Sequence, residues 1–125
     1  ALPILMTVII RPQGDLDLKN SSLLQQQFAR SLAEESAVCY AIDFEGVNFI
    51  NNFGLMTLIS IRRLAREKGC RLYLLNLKES VKYIMEITGL DREFNILDED
   101  GFQRLKKAYK ALRLKHKHRI QSNPA

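Results

Sequence analysis

The sequence predicts a single α/β domain built on a largely parallel sheet. Three observations carry this. The chain has 125 residues, the length of one domain. Runs of Ile, Leu and Val too continuous to leave a wet face alternate with stretches whose apolar residues recur at helical spacing. The alternation is regular, β-α-β-α-β-α-β-α, the order that sets parallel strands side by side through right-handed helical crossovers. Hydrophobic residues make up 46% and charged residues 26%, the mix of a globular domain that closes its core without disulfides or metal. No internal repeat or linker divides it.

Leu2 to Arg11 reads as the first strand. It is too short to span a membrane, and no cationic flank precedes it, so a strand is favoured over a signal peptide. Leu2–Ile10 is apolar enough to pair with a second copy if it lies at a sheet edge, which makes a homodimer through this strand one expectation. Pro12, Gly14 and Asp15 punctuate a loop. Asn20, Ser21 and Ser22 are cap-type residues ahead of Leu23, Leu24, Phe28 and Leu32, so a helix is expected from Ser21 to about Glu35. Val38–Phe44, VCYAIDF, is a strand covered on both faces, and Glu45, Gly46 and Asn48 form a turn. Phe53 to Lys68 carries Leu55, Leu58, Ile59 and Leu64 at helical intervals and stops at Gly69, with Arg66 and Lys68 suited to a helix C-terminus. Arg71–Leu77 is a strand, Lys78–Ile87 a short helix ending near Gly89, and Phe94–Leu97 a last strand. Asp98 or Asp100 caps a final helix whose apolar stripe is Phe102, Leu105, Tyr109 and Leu112. Beyond Lys115 the chain has no face to bury. The domain is therefore expected to occupy residues 1–115, with 116–125 a basic, frayed tail.

Charge and composition exclude several function classes. Residues 101–125 hold five Lys, three Arg and no acid, so of the +5 overall +8 lies there and the first hundred residues carry −3. Cys39 and Cys70 are too few for a disulfide framework; each borders or lies in an apolar run, which points to buried reduced thiols in a reducing cytoplasm. The two histidines, His116 and His118, fall in the basic tail, where nothing holds them as metal ligands. Metal-ligand spacings and the phosphate-binding and dinucleotide-binding glycine patterns are absent, so no metal and no cofactor is expected and catalysis is not the main task.

The informative stretch is FINNFGLM, residues 49–56, where a strand-like run gives way to a helix. A helix start has unpaired N–H groups and a partial positive charge. Asn51 and Asn52 suit a cap there, and the same geometry would receive a partner or a phosphate. Phe53 has two readings: a staple against its own helix, or an exposed aromatic anchor for a partner.

Around this hinge the chain resembles the STAS domain family, which includes bacterial anti-sigma factor antagonists and the cytoplasmic domains of sulfate transporters. The family pattern of a hydrophobic pair, Asp, Ser, a small residue, Gly and Leu is met here by Phe49-Ile50, Asn51, Asn52, Phe53, Gly54 and Leu55. Gly14-Asp15-Leu16-Asp17 is similar to the family's loop after its first strand. Leu75-Asn76, Val81–Ile87, Thr88-Gly89-Leu90 and Phe94–Leu97 follow its later order, so the resemblance spans roughly residues 8–98. It implies a small mixed, mostly parallel β-sheet with helices packed mainly on one side. It also implies a non-catalytic role in partner switching: the domain binds an anti-sigma factor that is a serine kinase of the histidine-kinase ATPase type, and phosphorylation of the hinge serine ends the binding. That serine aligns with Asn52, which has no hydroxyl, and its preceding aspartate with Asn51. The implied partner-binding set is Asp15, Asp17, Asn48, Asn51, Asn52, Phe53, Gly54 and Leu55, with Thr57 and Ser60 the nearest remaining hydroxyls. Stand-alone members of the family also bind transporter ATPases, which is the alternative role.

The basic final helix has its own two readings. Arg104, Lys106, Lys107, Lys110, Arg113, Lys115, Lys117 and Arg119 lie largely off the apolar stripe and form either a solvated face or a contact for a polyanion or acidic partner. Nothing supplies base-reading residues, so sequence-specific DNA binding is not expected.

Overall fold

The computed structural model describes residues 7–34, 37, 39–116 and 120–124. Five strands are described: β1 (Thr7–Arg11), β2 (Cys39–Asp43), β3 (Arg71–Leu75), β4 (Asn95–Leu97) and β5 (Ile120–Pro124). They alternate with four helices, α1 (Leu18–Glu34), α2 (Asn52–Glu67), α3 (Glu79–Ile87) and α4 (Glu99–His116), and a 3-10 turn spans Leu90–Glu93. The strands form one sheet in the order β4-β3-β2-β1-β5, and every described ladder is parallel.

Side-chain alternation along the strands divides the core into two layers. Val8, Ile10, Tyr40, Ile42, Leu72 and Leu74 share one buried cluster with Leu24 and Phe28 of α1, Leu58 and Ile61 of α2, and Val81 and Met85 of α3. Within it the Phe28 and Tyr40 rings meet edge to face at 5.0 Å, and Ser31 Oγ lies 3.3 Å from the Tyr40 hydroxyl. Ile9, Ala41 and Leu75 face the other way, where Phe102 and Leu105 of α4 cover them. Three helices thus lie on one face and one on the other.

Where the helices start and stop follows from local chemistry. Asp17 Oδ1 accepts the Asn20 N–H at 3.0 Å, so α1 begins at Leu18 and not at Ser21. Its buried stripe is Ser21, Leu24, Phe28 and Ser31, while Leu23, expected inside, is 52% exposed. Helix α2 ends as its sequence implies: Gly69 has φ +72°, and the Gly69 and Cys70 N–H groups close onto the carbonyls of Arg66 and Ala65. Asp98 caps α4, its Oδ1 accepting from Gly101 N at 2.7 Å.

The two chain ends depart from expectation. Strand β1 is flanked by β2 and β5, so Thr7–Arg11 is an inner strand and is not available as an edge for a second copy; Leu2 to Met6 lie outside the described residues. The tail is not frayed over 120–124. Its backbone pairs with all of β1, from Thr7 with Ile120 to Arg11 with Pro124. The expectation weighed side-chain burial alone, whereas a ladder is held by backbone groups that β1 must satisfy somewhere. Pro124 at the end of this strand suits an edge position. Cys39 is fully buried and Cys70 only partly, and neither forms a disulfide.

Candidate functional site

The hinge is built where the loops after β1 and β2 meet. Gly14 N donates to Gly46 O at 2.9 Å, Leu16 N to Phe49 O at 2.9 Å, and Asn51 N to Leu16 O at 3.3 Å. Leu16 and Ile50 form a parallel bridge between the two loops, and both side chains are buried with Val47 and Phe44. The 14–17 loop therefore serves as a short extra strand beside the approach to α2.

Asn51 caps α2. Its backbone is extended (φ −107°, ψ −169°), and its Oδ1 accepts from Phe53 N at 2.9 Å and Gly54 N at 3.2 Å. The cap leaves Asn52 as the first helical residue, exposed at the positive end of the helix. Gly54 is buried: a Cβ there would lie 2.5 Å from Ile50 Cγ1 and 2.8 Å from the Leu16 carbonyl oxygen. This glycine lets the 14–17 loop touch the first turn of α2, relieving crowding at the helix start. Leu55 is half-buried against the core.

The remaining residues of the set divide by what holds them. Asp17 is engaged as the cap of α1, and the Asp15 carbonyl accepts from Asn20 Nδ2 at 2.7 Å; both carboxylates sit on an exposed loop. Asn48 is tied to the start of α3, its Oδ1 accepting from Lys78 Nζ at 2.7 Å and its carbonyl from Ser80 Oγ at 2.6 Å. The sequence reading missed Lys78 and Ser80. Behind them, Asp43 accepts from Arg11 Nε at 3.3 Å, Asn76 Nδ2 at 3.1 Å and Glu45 N at 2.9 Å, joining the ends of β1, β2 and β3.

Phe53 is 48% exposed, which favours the anchor over the staple. Leu18 and Met56, which line one groove with it, are more than half exposed, and Phe49, before the cap, is 48% exposed. Leu18, Ser21, Gln25, Phe53, Met56 and Ser60 line a groove of about 280 Å³ between α1 and α2, crossed by a bond from Gln25 Nε2 to Ser60 Oγ at 3.1 Å. Leu18 joins this groove because Asp17 caps α1 and Leu18 opens it. Thr57 is buried, and Ser60 Oγ already accepts from Gln25, so neither is presented as Asn52 is.

The basic residues of α4 belong to the helix that covers the other face of the sheet. Lys106 Nζ sits 5.0 Å over the Phe102 ring, Arg104 and Lys107 are exposed, and Lys110, Arg113 and Lys115 follow in the last turns of the helix. Lys117 and Arg119 lie outside the described residues, as does His118. Among the described residues no group of His, Cys, Asp and Glu is arranged to hold a metal ion, and no helix is long and apolar enough to cross a membrane.

Comparison with known proteins agrees with this fold. The family model for the STAS domain matches residues 4–108. A Thermotoga maritima protein described as an anti-sigma factor antagonist is 21% identical, with a TM-score of 0.68 over 80% of this chain and 86% of that one. The Bacillus cell fate determinant SpoIIAA in its phosphorylated form is 20% identical, with a TM-score of 0.61 over 79% of this chain and 90% of that one. The STAS domain of a SulP transporter from Vibrio cholerae is 12% identical, with a TM-score of 0.64 over 86% of this chain and 84% of that one. The chain belongs to the STAS domain family, a non-catalytic family, and resembles its anti-sigma factor antagonists.

Proposed function

We propose that this STAS domain is a cytoplasmic regulator of the anti-sigma factor antagonist type, which binds a serine-kinase anti-sigma factor of the histidine-kinase ATPase type through its hinge. It does so without phosphorylation at the hinge. The observation that carries the reading is the first turn of α2. Asn51 closes the cap, Asn52 is the exposed first residue of the helix, at the position that aligns with the family's phosphorylated serine, and Leu18, Phe53 and Met56, exposed apolar residues, line a groove between α1 and the same first turns of α2. An amide donates and accepts hydrogen bonds to a partner, but it takes no phosphoryl group. A phosphate at this place would end binding by repulsion and desolvation in the interface, and a chain with Asn52 lacks that off-signal.

The test is capture of partners from native cells, followed by incubation of the complex with ATP. A co-purifying serine kinase of the histidine-kinase ATPase type, with no phosphate on α2, is the expected result. Asn52→Ser should then become a substrate of that kinase and be released by it. Capture of a transporter ATPase instead would support the accessory-subunit role. Stoichiometric phosphate on Thr57 or Ser60 of the unaltered chain would overturn the loss of control.

A further inference from the structure

The opposite end of α2 carries a feature that the hinge does not use. The first hundred residues are acidic overall, yet five of their eleven cations, Arg62, Arg63, Arg66, Lys68 and Arg71, fall within ten residues. The fold gathers three of them on one cleft. Arg62 and Arg66 from the C-terminal half of α2 and Arg71 from the first residue of β3 line a cavity of about 350 Å³, closed on its far side by Glu93, Phe94 and Asn95. A helix C-terminus accounts for one or two cations near it, and Arg66 and Lys68 fill that role. Arg62 stands more than a turn further back, and Arg71 belongs to a strand. Among the described residues Glu93 is the one carboxylate in the lining. It pairs with Arg62 at 3.3 Å and is itself half exposed, so this pair is a solvent-screened contact that a better anion would displace.

We infer that this cleft binds a small phosphate-type oxyanion, free or carried on a small molecule. Guanidinium groups present paired donors that match phosphate oxygens, and three on one concave wall give the geometry that a lone surface cation lacks. The volume lies at the lower end of small-ligand sites, which fits a phosphate or a compact phosphate ester. The site is independent of the hinge and does not rest on the partner proposed there.

The cleft holds its own reporter. Cys70 lies in its wall, partly exposed, with its Sγ 3.4 Å from the Ala37 carbonyl. Burial raises its thiol pKa and the nearby Lys68 opposes that shift. Cys39, the other cysteine, is fully buried, so alkylation of the folded chain reads Cys70 alone. The test is the rate of Cys70 alkylation by iodoacetamide, titrated with inorganic phosphate at constant ionic strength and repeated with a nucleoside monophosphate. Saturable slowing by phosphate, with chloride at matched ionic strength ineffective, is expected. Stronger protection by the nucleotide would identify the ester as the better ligand, and equal or weaker protection the free ion; either supports the site. Arg66→Gln with Arg71→Gln should abolish protection while the melting temperature holds. Glu93→Gln, which removes the competing carboxylate, should shift the titration several-fold toward lower phosphate. No saturable protection, protection matched by chloride, or protection surviving the double substitution in a folded protein would each overturn the inference.

Discussion

At the scale of single residues, the hinge rests on contacts between parts of the chain that are far apart in sequence. Asn51 as a cap was legible, because a cap needs only its own following turn. Gly54 was legible as a glycine at a helix start, but its reason was not: the crowding atoms belong to Ile50 and to Leu16, on a different loop. Replacing Gly54 with Ala forces a Cβ against backbone that cannot rotate away. We expect a loss of about 1–3 kcal/mol, the usual cost of overpacking, read as a lower urea midpoint at unchanged slope. Asn51→Ala should cost about 1 kcal/mol through the lost cap alone. The links from Lys78 and Ser80 to Asn48 cross some thirty residues, and no local pattern announces them.

At the scale of elements, the order of strands and helices was legible because hydrophobic period is a local property. Starts and edges were less so. The apolar reading of α1 began at Leu23, yet the helix begins where a carboxylate can cap it, and its inner face includes Ser21 and Ser31, which hydropathy passes over. Asp17→Ala should therefore destabilise the domain by about 0.5–2 kcal/mol in urea unfolding, while Ser22→Ala, on the exposed side, should change little. The converse result would return the helix start to the serines. The tail strand was illegible for a different reason: β5 is held by its backbone ladder to β1, and no side-chain period marks such a strand. Ending the chain after His116 strips β1 of one neighbour. Amide hydrogen exchange along Thr7–Arg11 should quicken, and that along Tyr40–Ile42, still paired on both sides, should stay slow.

At the scale of the molecule, the hinge stands at the carboxyl ends of parallel strands, where open α/β sheets place their working loops. The strand ends must be held together for the loops to keep their register, and Asp43 does this. Its carboxylate joins Arg11 at the end of β1, Asn76 after β3 and the turn at Glu45 that leads into the hinge. Asn76 takes a left-handed backbone (φ 57°) to reach it, a conformation that asparagine tolerates better than most residues. Asp43 is only slightly exposed while Arg11 is more so, hence the bond to Asn76 and the turn N–H should matter more than the ion pair. Asp43→Ala is expected to cost about 1.5–3 kcal/mol, the range for hydrogen bonds to a charged group. Asp43→Asn should recover much of this loss by retaining one acceptor oxygen. In a double-mutant cycle, Arg11→Ala should couple to Asp43→Ala more weakly than Asn76→Ala does. Because the turn feeds the hinge, Asp43→Ala should also weaken partner binding under conditions where the domain remains folded, whereas Asp98→Ala, acting at the start of α4 on the other face of the sheet, should lower stability with a smaller effect on binding. Equal losses of binding at matched stability would show that the strand ends do not position the hinge.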